Sequence, residues 1–258
     1  MSTLNVTIVQ ADLHWHDADA NRQHFRTRIG ELRETSDLIV LPEMFTTGFT
    51  MDAESQAETM DGPSMAWLQE TAGQTSTAIC GSLIIEDGGR YYNRFVFMRP
   101  DGSYVTYDKR HLFRLADEHQ HYSPGDTIVT FELGGWRICP MICYDLRFPV
   151  WSRNRNSYDL LLYVANWPSR RHLAWQTLIR ARAIENQAYV AAVNRSGTDG
   201  NDLPYLGGSA VIDYLGRDIA DLGERDGMAT AALDKEALTR FRQKFPFHED
   251  ADQFSILD

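Results

Sequence analysis

Short apolar runs typical of buried strands alternate with helical patterns from one end of the chain to the other. Runs such as DLIVL (37–41), LLYVA (161–165) and AYVAAV (188–193) have the composition of strands that are covered on both faces. Many strands combined with few, well-separated helices place sheets inside and helices outside. The pattern therefore predicts an α/β fold. Periodicity alone leaves open whether the strands close into a barrel or stack as two sheets.

The same pattern predicts the individual elements. A first helix carries Phe25, Ile29 and Leu32 on one face, with Asp17 or Asp19 as its N-terminal cap. Three more helices are expected over residues 64–71, 171–186 and 235–241. The apolar side of the 171–186 helix is predicted to consist of Ala174, Leu178, Ala181 and Ile184. The predicted strands cover residues 5–11, 37–41, 77–85, 91–98, 103–107, 127–133, 137–142, 160–165, 188–193, 208–213, 218–222 and 227–233.

No linker, repeat or break in composition interrupts this order. We therefore predict one domain over residues 1–258, with a mostly irregular tail from about residue 245. The segment RPDG (99–102) favours a hairpin turn between two of the strands.

The composition excludes several classes of partner. The 36 Asp and Glu residues outnumber the 25 Lys and Arg residues, and the formal net charge is −11. So acidic a chain binds phosphate backbones and anionic lipids poorly, and we expect neither nucleic acid nor a membrane as partner. No apolar run approaches the roughly 20 residues that span a bilayer, and the first residues lack the features of a secretory signal. Three cysteines, an odd number, do not indicate a disulfide framework, and we expect a cytoplasmic protein with reduced thiols.

Three chemically useful side chains end predicted strands. Glu43 ends LIVLPE, Lys109 ends YVTYDK and Cys143 ends RICPMIC. Strand ends gather catalytic groups because the loops there leave side chains unpacked on a rigid frame. Taken singly, each has an ordinary explanation: a buried thiol, a surface lysine or a loop carboxylate.

Together these groups form a plausible catalytic set for an attack on an amide. A carboxylate such as Glu43 takes the proton of the Cys143 thiol, and the resulting thiolate attacks an amide carbonyl. Lys109 and the backbone N–H of Tyr144 can then donate to the negative oxygen that develops.

Three segments that contain these residues resemble the signatures of the nitrilase, or carbon–nitrogen hydrolase, superfamily. They are LPEMFTTGF (41–49), YDKRHLF (107–113) and ICYDLRFP (142–149), and they follow that family's order. The opening VTIVQADLHWHDADAN (6–21) and the stretch RARAIENQAYVAAVNRSG (180–197) are also similar to family segments.

The resemblance implies a four-layer α-β-β-α sandwich that pairs with a second copy. It implies Glu43 as general base, Lys109 as electrostatic stabiliser and Cys143 as nucleophile. It also implies a fourth polar residue, Glu118 in EHQHYSPG (118–125), which orients the lysine and positions the substrate amide or water. A solvated loop carboxylate is the alternative interpretation of Glu118.

The words around the nucleophile indicate a branch of the superfamily. True nitrilases usually follow the cysteine with Trp-Glu-Asn, whereas this chain has CYDLRFP (143–149). That segment and HLFRLADEHQHYSPG (111–125) are similar to bacterial omega-amidases, which hydrolyse the terminal amide of 2-oxoglutaramate and 2-oxosuccinamate. The resemblance implies this activity, with a role in methionine salvage. The alternatives are cleavage of an N-carbamoyl amine, a nitrile or another small amide, acyl transfer to an acceptor other than water, or a non-catalytic binding protein of the same fold.

An anionic substrate requires positive groups in the pocket of this acidic protein. Arg170, Arg171 and Arg195 follow predicted strands and are candidates for the substrate carboxylate. Arg147 is predicted to form a structural ion pair that holds the turn after the nucleophile. The plausible walls of the pocket, each equally suited to core packing, are Phe45, Phe49, Tyr122 and Trp167, and Tyr144 is a further substrate-binding candidate.

No metal or cofactor is expected. Cys139 and Cys143 are spaced C-x₃-C, but zinc normally takes four ligands and no matching pair follows. Two H-x-H pairs, at His14 and His119, are more typical of surface or loop residues. The glycines do not form the G-x-G-x-x-G pattern of dinucleotide sites.

Overall fold

The computed structural model of the protein describes residues 2–155 and 157–256. Its strands are β1 Thr3–Gln10, β2 Leu38–Val40, β3 Ala78–Asp87, β4 Arg90–Met98, β5 Tyr104–Asp108, β6 Phe131–Leu133, β7 Trp136–Ile142, β8 Leu160–Ala165, β9 Tyr189–Asn194, β10 Ser196–Thr198, β11 Pro204–Leu206, β12 Ala210–Ile212, β13 Asp218–Asp221 and β14 Gly227–Asp234. Its helices are α1 Ala18–Gly30, α2 Ala53–Gln56, α3 Pro63–Thr75, α4 Glu118–His121, α5 His172–Asn186 and α6 Lys235–Lys244.

These strands form two six-stranded sheets, and β10 pairs with β11 in a small separate ribbon. The first sheet has the order β14-β1-β2-β3-β4-β5 and the second the order β13-β12-β9-β8-β7-β6. Within each sheet a central trio is parallel, β1-β2-β3 in the first and β7-β8-β9 in the second. The question between a barrel and stacked sheets is therefore decided in favour of two sheets.

The alternation of side chains along β2 shows how the layers are built. Leu38 and Val40 point into a core shared with the second sheet, whereas Ile39 points into a core shared with α1 and α3. Successive residues of a strand face opposite sides, so a continuous apolar run is buried on both. Helix α5 covers the second sheet, which confirms the predicted α-β-β-α sandwich.

The predicted apolar side of α5 is correct only in part: Ala174 and Leu178 are partly buried against the core, but the fully buried stripe lies one residue further along. The apolar residues that α5 buries fully are Trp175, Ile179 and Ala183, whereas Ile184 is 53% exposed. The indole N–H of Trp175 donates to the carbonyl of Gly208 at 2.8 Å, and the large ring is fully buried. Helical spacing allows either stripe, and the largest side chain decides between them.

Other differences are local. Asp17, one of the two predicted caps, accepts a hydrogen bond from the backbone N–H of Ala20 at 2.9 Å and so caps α1. Strand β6 covers 131–133 and not 127–133, and the short elements α2, α4, β10 and β11 were not predicted. Across the described residues, each helix is too short or too polar to cross a bilayer.

A buried carboxylate ties α6 to the second sheet. Asp159 accepts the backbone N–H of Arg137 at 3.0 Å and contacts the side chains of Arg137, Lys235 and Arg242, each at 3.1 Å. Burial opposes ionisation, but the hydrogen bonds from Arg137 outweigh it and lower the pKa of Asp159. Asp159 is therefore a charged structural anchor.

Candidate active site

The three predicted catalytic residues lie where the two sheets meet. Glu43 follows β2 and Lys109 follows β5, both in the first sheet, whereas Cys143 directly follows β7 in the second. The sandwich stacks these strand ends across a common seam. The three residues that lie far apart in sequence are thereby brought to one site.

Lys109 is held between two carboxylates. Its Nζ donates to Oε1 of Glu43 at 3.0 Å and to both carboxylate oxygens of Glu118 at 2.9 and 3.0 Å. All three side chains are fully buried. Burial alone would lower the pKa of Lys109, but the charges of Glu118 and Glu43 outweigh it and raise that pKa. The lysine is therefore a fixed, charged ammonium.

Glu118 is a member of this cluster and not a solvated loop residue. It begins α4, and its Oε2 also accepts the backbone N–H of Phe113 at 2.5 Å. Burial raises the pKa of Glu118, and the ammonium of Lys109 opposes that rise. The carboxylate thus fixes Lys109 from the side opposite Glu43.

Glu43 is oriented by two asparagines that the sequence analysis missed. Nδ2 of Asn93 donates to its Oε1 at 2.7 Å, and the backbone N–H of Asn166 donates to its Oε2 at 2.7 Å. Nδ2 of Asn166 also donates to the backbone carbonyl of Glu43 at 2.6 Å. Asn166 follows β8, so the same strand-end argument that identified the other residues applies to it.

Cys143 occupies an unusual backbone position at the start of a short 3₁₀ turn, Cys143–Arg147. Its φ is 45°, in the left-handed region that residues other than glycine seldom adopt. Its Sγ lies 3.9 Å from the carbonyl oxygen of Asn166. Burial raises the pKa of the thiol, Glu43 raises it further, and Lys109 opposes this. The resting sulfur is therefore a neutral thiol that needs a base to become a nucleophile.

A cavity of about 420 Å³ opens above the sulfur. Lys109, Cys143, Tyr144 and Asn166 line the cavity at the reactive end. Two of its aromatic wall residues, Phe49 and Trp167, were predicted. The others are Trp15, His16, Phe113 and Tyr205.

Two predicted wall residues lie elsewhere. The hydroxyl of Tyr122 donates to the carbonyl of Thr50 at 2.6 Å, and its ring packs behind the cavity wall. The ring of Phe45 packs against Phe25 and Trp67, with centroids 5.7 Å apart in both pairs. Both aromatics belong to the core, the alternative that the sequence had left open for them.

The cavity also contains three arginines, Arg147, Arg170 and Arg171. The guanidinium of Arg147 lies 4.9 Å from the ring centre of Trp167, and that of Arg171 lies 4.8 Å from that of Phe113. Within the described residues, no carboxylate pairs with any of the three. The structural ion pair predicted for Arg147 is therefore wrong: its guanidinium is held by an aromatic face.

Burial and the neighbouring charges of Arg170 and Arg147 lower the pKa of Arg171. By contrast, Arg195 is fully buried outside the cavity lining, with its Nη2 2.6 Å from Oδ1 of Asp12. Because Arg195 does not line the cavity, it is not a candidate for contact with the substrate.

Known proteins that are similar in sequence and structure agree with this geometry. A family model described as carbon–nitrogen hydrolase matches residues 5–243. The chain is 48% identical to the omega-amidase YafV of Escherichia coli K12 over 99% of this chain and all of that protein. It is 33% identical to a 2-oxoglutaramate amidase of Bacillus subtilis over 95% of this chain and 96% of that protein.

Among solved structures, a CN-hydrolase superfamily protein of Xanthomonas campestris superposes with a TM-score of 0.97. It is 45% identical in sequence, and the match covers 99% of this chain and 100% of that one. That protein contains an arsenic adduct in its active site.

The geometry predicts selective modification of one cysteine. Cys143 lines the cavity, whereas Cys80 and Cys139 are fully buried within strands β3 and β7. Burial also raises the pKa values of the latter two thiols. Brief treatment of the native protein with iodoacetamide should add a single carbamidomethyl group, located on Cys143 by peptide mass spectrometry.

Cys143→Ala should take up no reagent under the same conditions, and unfolded wild-type protein should take up three equivalents. Modification of Cys80 or Cys139 in the native state before Cys143 would contradict the described access to the sulfur.

Proposed function

The chain is an amidase of the carbon–nitrogen hydrolase family, and we propose that it is an omega-amidase acting on 2-oxoglutaramate and 2-oxosuccinamate. The products are the corresponding 2-oxo dicarboxylate and ammonia. The observation that carries this proposal is that one cavity is lined by Cys143 and by Lys109, which donates to Glu43, together with three arginines that pair with no carboxylate of the described residues.

In the first half of the proposed reaction, Glu43 accepts the thiol proton while the sulfur of Cys143 bonds to the amide carbon. The carbonyl oxygen becomes negative, and the ammonium of Lys109 and the backbone N–H of Tyr144 donate to it. Each such donor contributes on the order of 3–4 kcal/mol when it is aimed at the developing charge. Collapse of the intermediate breaks the carbon–nitrogen bond, and Glu43 returns the proton to nitrogen. Ammonia departs, and the acyl group remains bound to the sulfur as a thioester.

In the second half, Glu43 takes a proton from water, and the oxygen of that water attacks the thioester carbon. Collapse breaks the carbon–sulfur bond and the proton goes to the sulfur, which regenerates the thiol. Glu118 keeps Lys109 in place through both halves by its two hydrogen bonds, and it positions the amide or the water.

The cavity accounts for the choice of an anionic substrate. The chain carries a formal net charge of −11, so an anion reaches the site only if local positive charge attracts it. Arg147 and Arg171 are stacked on aromatic rings, and no carboxylate in the part of the chain that the structure describes occupies their N–H groups; Arg170 is exposed. Guanidinium groups bind carboxylates in a bidentate fashion. Phe49 and Trp167 then enclose the short apolar part of the substrate.

The first test measures ammonia release from 2-oxoglutaramate. Wild-type protein should turn it over, while Cys143→Ala should be inactive and Glu43→Gln should lose at least about 10³-fold in kcat, because each removes a bond-making or proton-transferring group. With a slowly hydrolysed amide, intact-mass spectrometry should show an acyl adduct on the wild-type protein that is absent from Cys143→Ala.

Both variants are near-isosteric, and circular dichroism should show an unchanged fold. Substantial activity in either would refute the mechanism. If the protein turns over an N-carbamoyl amine, a nitrile or another small amide but not 2-oxoglutaramate, the proposed substrate is wrong and the proposed class of reaction stands. A hydroxamate formed on addition of hydroxylamine would report the thioester directly.

The second test concerns the substrate carboxylate. Arg171→Ala should raise the KM for 2-oxoglutaramate at least tenfold, because a charge-assisted contact is lost. The kcat/KM for a neutral amide of similar length, such as valeramide, should change by less than about threefold. The matched control is Arg26→Ala, which removes an exposed arginine paired with Glu70 on the outer helices. It should leave the kinetic constants for both substrates unchanged. An equal loss for the charged and neutral amides would assign Arg171 a packing role.

The proposal includes a homodimer, supported by three exposed large apolar side chains, Leu173 and Ile184 on α5 and Leu215 in the loop before β13. These side chains are 78%, 53% and 42% exposed, which is costly for large apolar groups at a free surface. Sedimentation velocity should give a dimer for wild-type protein and a monomer for Ile184→Asp. A wild-type monomer at tens of micromolar would contradict this part.

The cellular setting is part of the same proposal. A cytoplasmic location keeps the Cys143 thiol reduced, as the reaction requires. Removal of the oxo-amide left by glutamine transamination in methionine salvage is the role proposed for the activity.

A further inference from the structure

One carboxylate outside the cavity touches the chain on both sides of the site. Asp145 lies two residues after the nucleophile, is fully buried and does not line the cavity. Its two oxygens accept four hydrogen bonds, two on each oxygen. The mechanism above gives it no role.

On the nucleophile side, Asp145 closes the turn that contains the sulfur. The backbone N–H of Ile142 donates to its Oδ2 at 3.0 Å, so the side chain bridges back across Cys143. Cys143 has a left-handed backbone with φ of 45°. Such a conformation persists only where the surrounding structure fixes it, and this bond is one such constraint.

On the lysine side, Asp145 holds residues two before and two after Lys109. The hydroxyl of Tyr107 donates to Oδ2 at 2.7 Å. The backbone N–H and the ring Nδ1 of His111 donate to Oδ1 at 3.0 and 2.8 Å. Because the partner is a carboxylate, Nδ1 is the protonated ring nitrogen. The His111 ring stacks on Phe148, with centroids 3.8 Å apart.

These contacts join the end of β5 in the first sheet to the end of β7 in the second. We propose that Asp145 is a positioning residue, which fixes the Lys109 ammonium relative to the Cys143 sulfur across the seam between the sheets. It touches neither the substrate nor the reacting atoms. This inference rests on the proposed amide hydrolysis, in which both groups must meet the same carbonyl.

The arrangement requires a carboxylate and not an amide. Oδ2 accepts the backbone N–H of Ile142 and Oδ1 accepts the backbone N–H of His111. Neither backbone donor can become an acceptor. An asparagine must therefore direct its NH₂ group at one of them, whichever way the amide is turned. Asp145→Asn thus keeps the shape and breaks one of the two anchors.

Asp145→Asn should lower kcat for 2-oxoglutaramate by at least a hundredfold, because misplacing the reacting groups by about 1 Å has effects of that size. KM should stay within threefold, since Arg171, the arginine tested for the substrate carboxylate, lies on a separate segment that Asp145 does not contact. The variant should remain folded by circular dichroism, and kcat is expressed per Cys143 that reacts with iodoacetamide. The control is Asp159→Asn, which removes another buried carboxylate that accepts a backbone N–H; it should keep kcat even where its melting temperature falls.

A second pair of variants covers a failure of Asp145→Asn to fold. His111→Asn retains a side-chain donor in the position of Nδ1 and should keep kcat within about threefold, whereas His111→Leu should lose tenfold or more. This rescue by a conservative donor would not accompany a purely packing role.

The proposal is overturned if Asp145→Asn keeps kcat within threefold, or if His111→Asn and His111→Leu are equally active. An error in the proposed substrate would give a different result: the wild-type protein would turn over another amide but not 2-oxoglutaramate. The same ratios are then measured with that amide, and they test Asp145 independently.

Discussion

The site depends on an ammonium buried between two carboxylates. Transfer of a lysine charge out of water is strongly unfavourable unless opposite charges and hydrogen bonds replace the lost solvent. Glu43 and Glu118 provide them to Lys109 at 2.9–3.0 Å, and all three side chains are fully buried. Loss of Lys109 would leave two buried carboxylates without a counter-charge, so the cluster is also a strong constraint on how the loops close over the sheets.

That constraint crosses the boundary between the two sheets. Glu43 and Lys109 follow strands of the first sheet, whereas the sulfur follows β7 of the second. The distance from Glu43 and Lys109 to the sulfur is therefore set by how the sheets pack, and not by a single local turn. Two polar links reinforce the packing here: Asn166 donates to Glu43, and Asp145 accepts from Tyr107. A site at such a seam is as rigid as the apolar core beneath it, which favours preorganised donors over mobile ones.

The sequence was sufficient for features that are determined locally or by motif. Strand composition indicated the positions of Glu43, Lys109 and Cys143, and the family resemblance added Glu118 and the layered sandwich. It was insufficient where long-range packing decides between equivalent local choices. Periodicity permits two neighbouring stripes on α5, and only the burial of Trp175 selects one. The aromatic partner of Arg147 lies twenty residues away in sequence, on a loop whose placement no local pattern fixes.

The two kinds of positive charge in the cavity perform different tasks because their partners differ. Lys109 already donates to two buried carboxylates, so it is a poor permanent partner for a substrate carboxylate. In the proposed reaction its ammonium can turn to the transient oxyanion once Glu43 has taken up the thiol proton and lost its negative charge. Arg147 and Arg171 are held by the faces of Trp167 and Phe113, which orient a guanidinium without occupying its N–H donors. An acidic partner would fix them equally well but would compete with the substrate. Aromatic support therefore lets an acidic protein keep an anion site open beside a base that must itself remain anionic.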